Sequence, residues 1–259
     1  MSFVFHAITS IDKNPYQSCF EQTPQKTSDY AFTNLWAWAE SHKLEWAMDG
    51  NLCWIRQIHP QKVYWAPVGS WYNVDWEKAF FKITSRPLNF IRIPEELIGI
   101  WSPIFKDRLK ITETRGDWDY IYSFEDLLHL SGNRFHKKKN LVNQFKKKYS
   151  FIYHPFDETL VEQALKMQET WCVWRDCESN DILSAENKVI EKILSNWATM
   201  KELIGGALLV DGEMAAYTIA EAMRPDTLVI HIEKGNPEFK GVYQAIQQVF
   251  LENFEEKYQ

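Results

Sequence analysis

Residues 204–254 set the terms for the rest of the chain, because one uninterrupted run holds a hairpin, a further strand and a helix. The apolar segments 208–210 and 215–219 flank Asp211-Gly212. Both residues of that dipeptide accept positive φ, so it closes a two-residue hairpin and the flanking strands are expected to pair antiparallel. Arg224-Pro225-Asp226 supplies the next turn. Residues 227–233 then alternate Leu228, Ile230 and Ile232 with Val229, His231 and Glu233, a third strand with a polar end. Beyond Gly235-Asn236-Pro237 the period lengthens, and Val242, Ile246, Val249 and Phe250 recur at helical spacings. Strand therefore gives way to helix across Phe239-Lys240-Gly241-Val242-Tyr243.

A helix start carries unpaired N–H groups and the positive end of the helix dipole, and a glycine there admits an anion to the backbone. Lys240, Gly241, Val242 and Tyr243 are the candidates for such a cofactor-phosphate site. The alternative is that Gly241 only lets the helix pack closely on the strand. By strand alternation His231 and Glu233 share one face just before this turn. Either could act as a base, with Tyr243 as proton donor to a leaving group. The competing structural account is a hydrogen-bonded sheet histidine and a glutamate paired with Lys234 or a helix end. Glu221 ends the neighbouring strand, and if it faced Glu233 the like charges would raise one carboxyl's pKa.

A formal charge of -6 argues against a generally basic nucleic-acid binder. Its distribution is more informative: residues 134–148 carry Arg134, Lys137, Lys138, Lys139, Lys146, Lys147 and Lys148 without one acid. Such a run is either a solvated face or a patch that neutralises phosphates of tRNA, of CoA or of an anionic lipid head group. Arg134, Lys137, Lys138, Lys139 and Lys234 are accordingly the candidate substrate- or anion-binding residues. Cys19, Cys53, Cys172 and Cys177 lack zinc spacing, and no metal site is expected. Without secretory features, four free buried thiols are expected. No apolar run reaches the roughly 18 residues needed to span a bilayer, and the first residues, Met1-Ser2-Phe3-Val4-Phe5, do not read as a signal peptide. A cytoplasmic location is the expectation.

Along the remainder, residues 1–26 read as an extended edge, and Ser28 caps a helix to His42. Asp49-Gly50 closes a second hairpin, 63–66 adds a strand, and a helix lies near 74–83. A strand at 88–93, a short helix at 95–100 and strands near 109–112 and 118–122 follow. Ser123, with Asp126 three residues on, caps another helix. The basic helix (133–149), a strand (151–154) and helices at 157–175 and 185–199 complete the reading.

Strand, Asp-Gly hairpin, long strand and a helix opening with Lys240-Gly241-Val242-Tyr243 resemble the acyl-donor half of the GNAT (N-acetyltransferase) fold. In that family the helix start holds the pyrophosphate of acyl-CoA, on a pattern Arg/Gln-x-x-Gly-x-Gly/Ala. This chain departs from it with acidic Glu238 and bulky Tyr243 at the first and last places. FTNLWAW (32–38), YIYSFEDLLHLSGNRFHKKKN (120–140) and HIEKGNPEFKGVYQAI (231–246), taken together, resemble a bacterial family related to the C-terminal catalytic domain of phosphatidylglycerol lysyltransferase. The resemblance implies an α+β fold of two tandem GNAT-like domains, each a mixed, mostly antiparallel sheet flanked by helices. They would span 1–132 and 133–259, the second opening with the basic helix and lacking the family's last strand-helix-strand. It further implies an acyl- or aminoacyl-transferase that moves an aminoacyl group from tRNA to a lipid or small-molecule acceptor. An acyl-CoA-dependent N-acyltransferase on a small amine is one alternative, and a non-catalytic anion-binding protein on the same fold is another.

Overall fold

The computed structural model describes residues 2–83 and 87–258, and the chain divides into two compact units, Met1–Asp119 and Tyr120–Gln259. The division falls before the expected 132/133 because the helix Phe124–His129 belongs to the second core, where Leu128 is buried with Phe250 and Leu251.

In the first unit β1 (His6–Ala7), α1 (Lys13–Glu21), α2 (Phe32–His42), β2 (Leu44–Asp49), β3 (Leu52–Gln57), β4 (Val63–Trp65), β5 (Val68–Gly69), α3 (Trp76–Phe81), β6 (Phe90–Ile91) and α4 (Glu95–Phe105) follow in order. The sheet runs β1-β2-β3-β4-β6, with β5 also on β3. β4 pairs parallel with β6, and the other pairs are antiparallel. Several tryptophans are core walls: Trp54, Trp76 and Trp101 are buried, and the Trp76 and Trp101 rings meet edge to face at 5.4 Å.

Four expectations fail here. Residues 13–21 are helical rather than extended, because Tyr16, Cys19 and Phe20 lie on one face of α1 and are buried together. Ser28 opens a 3-10 turn instead of capping α2, which begins at Phe32 after an extended Ala31 (ψ 133°). The strands near 109–112 and 118–122 do not form. Around Asp119 the chain is held by the Ser28 N–H and Oγ, which donate to its carboxylate at 2.9 and 2.5 Å. The first hairpin turns on Gly50-Asn51 rather than Asp49-Gly50, since Asp49 pairs with Leu52 and Gly50 has φ 60°. That is the glycine-first form of the two-residue turn.

The second unit contains α5 (Phe124–His129), α6 (His136–Lys148), β7 (Phe151–Pro155), α7 (Val161–Arg175), α8 (Asp181–Ser195), β8 (Leu203–Val210), β9 (Glu213–Arg224), β10 (Thr227–Gly235) and α9 (Val242–Tyr258). Its sheet is antiparallel in the order β10-β9-β8-β7. The chain is thus an α+β protein. Asp211 and Gly212 both have positive φ, 52° and 83°, in the β8–β9 turn. Ser123 Oγ accepts the Asp126 N–H at 3.3 Å at the start of α5. Asn180 Oδ1 accepts the N–H groups of Ile182 and Leu183, so α8 starts earlier than expected.

Cys172 and Cys177 are joined by a disulfide with Cα atoms 5.0 Å apart, which corrects the expectation of four free thiols; Cys19 and Cys53 are free and buried. Asp176, left-handed at φ 53°, ends α7 and turns Cys177 back over the last helical turn.

The faces of this sheet are set by a bulge. Ile230 pairs with Ala220 and Ile232 with Ile219, so His231 is an extra residue in β10. Opposite Tyr217 and Glu221 therefore stand Lys234 and Val229, and opposite Ala216 and Thr218 stand Gly235 and Glu233. The Ala216 face packs on α9 through Val242, Ala245 and Ile246. The Tyr217 face meets α7, where the Tyr217 hydroxyl lies 3.5 Å from Gln168 Oε1.

Candidate functional site

The polar end of β10 meets the first turn of α9. Gly235 makes this close: a Cβ there would stand 2.7 Å from Val242 Cγ1 and 3.5 Å from the Tyr243 ring. Two polar groupings meet at this strand end, one on each face of the sheet.

On the α7–α8 face, Lys234 is buried and its ammonium lies 2.9 Å from Glu186 Oε1 and 3.7 Å from the Trp171 ring centroid. Trp171 Nε1–H donates to the Tyr243 hydroxyl at 3.2 Å. Tyr217 is fully buried, and burial first, with the charge of Glu186 and the neighbouring Tyr243 adding, pushes its phenol far up, so it stays protonated. A buried lysine answered by a carboxylate and an aromatic face is a preorganised cationic centre, not a free charge.

On the other face stands Glu233, opposite Thr218. Burial raises its carboxyl from 4.5 to about 7, and Lys138 of α6 partly offsets that rise. Lys138 is half-buried, with its ammonium 5.0 Å from the centroid of Tyr122.

The expected same-face pair of His231 and Glu233 is corrected by the bulge, which reverses the alternation between them. His231 Nε2 lies 3.4 Å from Glu221 Oε1, both side chains being nearly inaccessible, on the face away from Glu233. For the same reason Glu221 does not face Glu233.

Gly241 has φ 88°, and a Cβ built on it would stand 2.3 Å from the Leu141 carbonyl oxygen and 2.9 Å from its carbon. The space left by the absent side chain is filled by backbone of α6, so on that side Gly241 serves helix packing and offers no opening for an anion. Val242 is buried in the sheet core, and Lys240 is exposed. Lys137 and Lys139 are exposed on α6, whereas Arg134 is paired with Asp126 at 2.6 Å. Lys146 pairs with Glu252 at 3.1 Å.

Glu186, Trp171, Gln168 and Tyr217 carry no sequence signal that marks them. They come together only when α7 and α8 cover the sheet. Among the described residues no group of three or more His, Cys, Asp or Glu could hold a metal ion, and no helix is long and apolar enough to cross a membrane.

The chain is thus a two-unit α+β protein whose second sheet ends in a buried lysine and a half-buried carboxyl. The chain belongs to the family described as phosphatidylglycerol lysyltransferase, C-terminal, whose model matches residues 20–259. It is similar to a conserved protein of unknown function from Bacteroides thetaiotaomicron, with 25% identity and a TM-score of 0.88 over 99% of this chain and 88% of that one. It shares a fold with the C-terminal domain of a putative lysylphosphatidylglycerol synthetase from Agrobacterium fabrum, with 8% identity and a TM-score of 0.58 over 95% of this chain and 76% of that one. No curated protein matches the chain.

Proposed function

We propose that the chain is a GNAT-like acyl- or aminoacyl-transferase whose acceptor is an anionic lipid or a small phosphate-bearing molecule, with aminoacyl-tRNA as donor. Glu233 carries this reading. A carboxyl that titrates near neutrality is matched to taking a proton from an acceptor hydroxyl at physiological pH. The charge of Lys138 reaches it from a helix whose residues 136–148 include no acid, so an acceptor's phosphate held by Lys137, Lys138 and Lys139 would bring its hydroxyl toward the base. The hydroxyl oxygen then attacks the ester carbonyl of the donor, the bond to the ribose oxygen breaks, and that oxygen takes up the proton that Glu233 removed from the acceptor.

Family membership supports aminoacyl transfer to lipid over other chemistries. The Leu141 carbonyl against Gly241 closes the side of the corner that the glycine would have opened to a pyrophosphate, which weighs against CoA as donor. His231, turned to Glu221 on the far face, has no part in this scheme.

The test is transfer of radiolabel from a mixed pool of aminoacyl-tRNA to phosphatidylglycerol or to small phosphorylated acceptors, followed by chromatography. Glu233→Gln is expected to lower turnover at least a hundredfold while the protein stays folded. Failure to transfer from either aminoacyl-tRNA or acyl-CoA, with anion binding intact, would leave a binding protein. Wild-type turnover by Glu233→Gln would remove the carboxyl from the mechanism.

A further inference from the structure

Tyr120, Ile121 and Tyr122 run without regular secondary structure into the cap of α5, and they are 82%, 92% and 51% exposed. An aliphatic side chain nine-tenths exposed between two tyrosines is a costly surface in water unless something covers it. The second unit sets this strip beside the lysines of α6, through the Lys138 ammonium over the Tyr122 ring. Lys137, Lys138 and Lys139 sit in the first turn of α6, which has no acid. Cations there oppose the helix dipole and weaken the helix. Such a local conflict marks residues kept for a purpose other than stability.

We infer that Tyr120–Tyr122 and the first turn of α6 form a docking surface for a bilayer of anionic phospholipid. The chemistry divides between the two parts. Lysines are drawn to the negative surface potential, each strengthening attachment roughly fivefold, and tyrosines settle at head-group level. Ile121 supplies the apolar contact below them. A nucleic acid would use the lysines and could stack on the tyrosines, but the exposed isoleucine would gain nothing from it. Lys138 lies over Tyr122, and its charge also reaches the Glu233 carboxyl, which gives the surface a line to that carboxyl. The inference rests on the lipid-acceptor reading above in assigning that line a purpose, but the attachment itself can be measured without turnover.

The experiment is co-sedimentation of the whole chain with vesicles of phosphatidylcholine alone and of phosphatidylcholine mixed with phosphatidylglycerol. The expected result is binding to the mixed vesicles only, falling as salt is raised. Ile121→Asp is expected to weaken it at least tenfold, and Lys137→Glu with Lys139→Glu by a larger factor, with circular dichroism unchanged. Equal binding to neutral vesicles, no binding to either, or binding that survives both variants would overturn the inference. So would variants that lose tRNA binding while still sedimenting with lipid, which would make the strip an RNA platform. Transfer to a short-chain phosphatidylglycerol dissolved as monomers separates the two proposals. Turnover there without vesicle attachment leaves the enzyme reading and removes the docking surface; attachment without turnover does the reverse.

Discussion

Replacing Gly241 with alanine tests the contact that sets α6 across the start of α9. Two costs follow from the geometry. At φ 88° an alanine sits in the left-handed region, where an L side chain costs about 1–2 kcal/mol. Its Cβ would also stand 2.3 Å from the Leu141 carbonyl oxygen and 2.9 Å from the carbonyl carbon. Backbone cannot swing aside like the end of a side chain, so α6 must shift, and overpacking of this kind costs about 1–3 kcal/mol. Together they come to roughly 3 kcal/mol. Gly212 is the internal control: its φ is 83°, and a Cβ there meets nothing within 4 Å. Gly212→Ala should therefore show the conformational cost alone, about 1 kcal/mol. Urea unfolding of the two variants, with hydrogen exchange at the α6 and α9 amides, measures the difference, and the midpoint for Gly241→Ala is expected about 1 M or more below wild type. If both alanines cost the same, the packing role of Gly241 is wrong and the corner is open after all.

Glu233 makes stability depend on pH in a stated direction. Its carboxyl is raised from 4.5 to about 7, so the folded chain holds this proton more tightly than the unfolded one. The contribution is fully present below the unfolded value and is lost as pH climbs through about 7, at most about 3 kcal/mol. Denaturation of wild type and Glu233→Gln across that window should show the slope in the wild type alone; parallel curves would contradict it. Lys234→Met should cost about 3 kcal/mol by leaving the Glu186 carboxylate without its cation, somewhat less if that half-exposed side chain turns to water. Unchanged thermal unfolding of that variant would show the pair to be neutral. Reducing Cys172–Cys177, or replacing both with serine, should cost about 2 kcal/mol, as expected for so short a closed loop. A melting temperature indifferent to dithiothreitol would count against it.

Where the chemistry is local, the chain can be read directly. The Asp211-Gly212 turn, the Ser123 cap on Asp126 and the passage from β10 to α9 each depend on residues a few positions apart, whose backbone preferences act before any packing. The basic run of α6 was likewise visible, because charge needs no neighbours. The failures share one cause. At α1 the helical spacing of Tyr16, Cys19 and Phe20 is short and weak, and only burial of that face decides for helix.

The amino-acid order by itself determined the Asp211-Gly212 hairpin, the helix after β10 and the run of lysines, since these follow from dihedral preference, periodicity and charge. Only tertiary structure decided which face each site residue occupies. The bulge at His231 places that side chain 3.4 Å from Glu221, and one inserted residue reverses every side chain beyond it. It also decided that Gly241 meets the Leu141 carbonyl, and that Lys234 finds Glu186 and Trp171. These partners lie far apart in the chain, and the free energy that joins them exists only once α6, α7 and α8 have closed over the sheet.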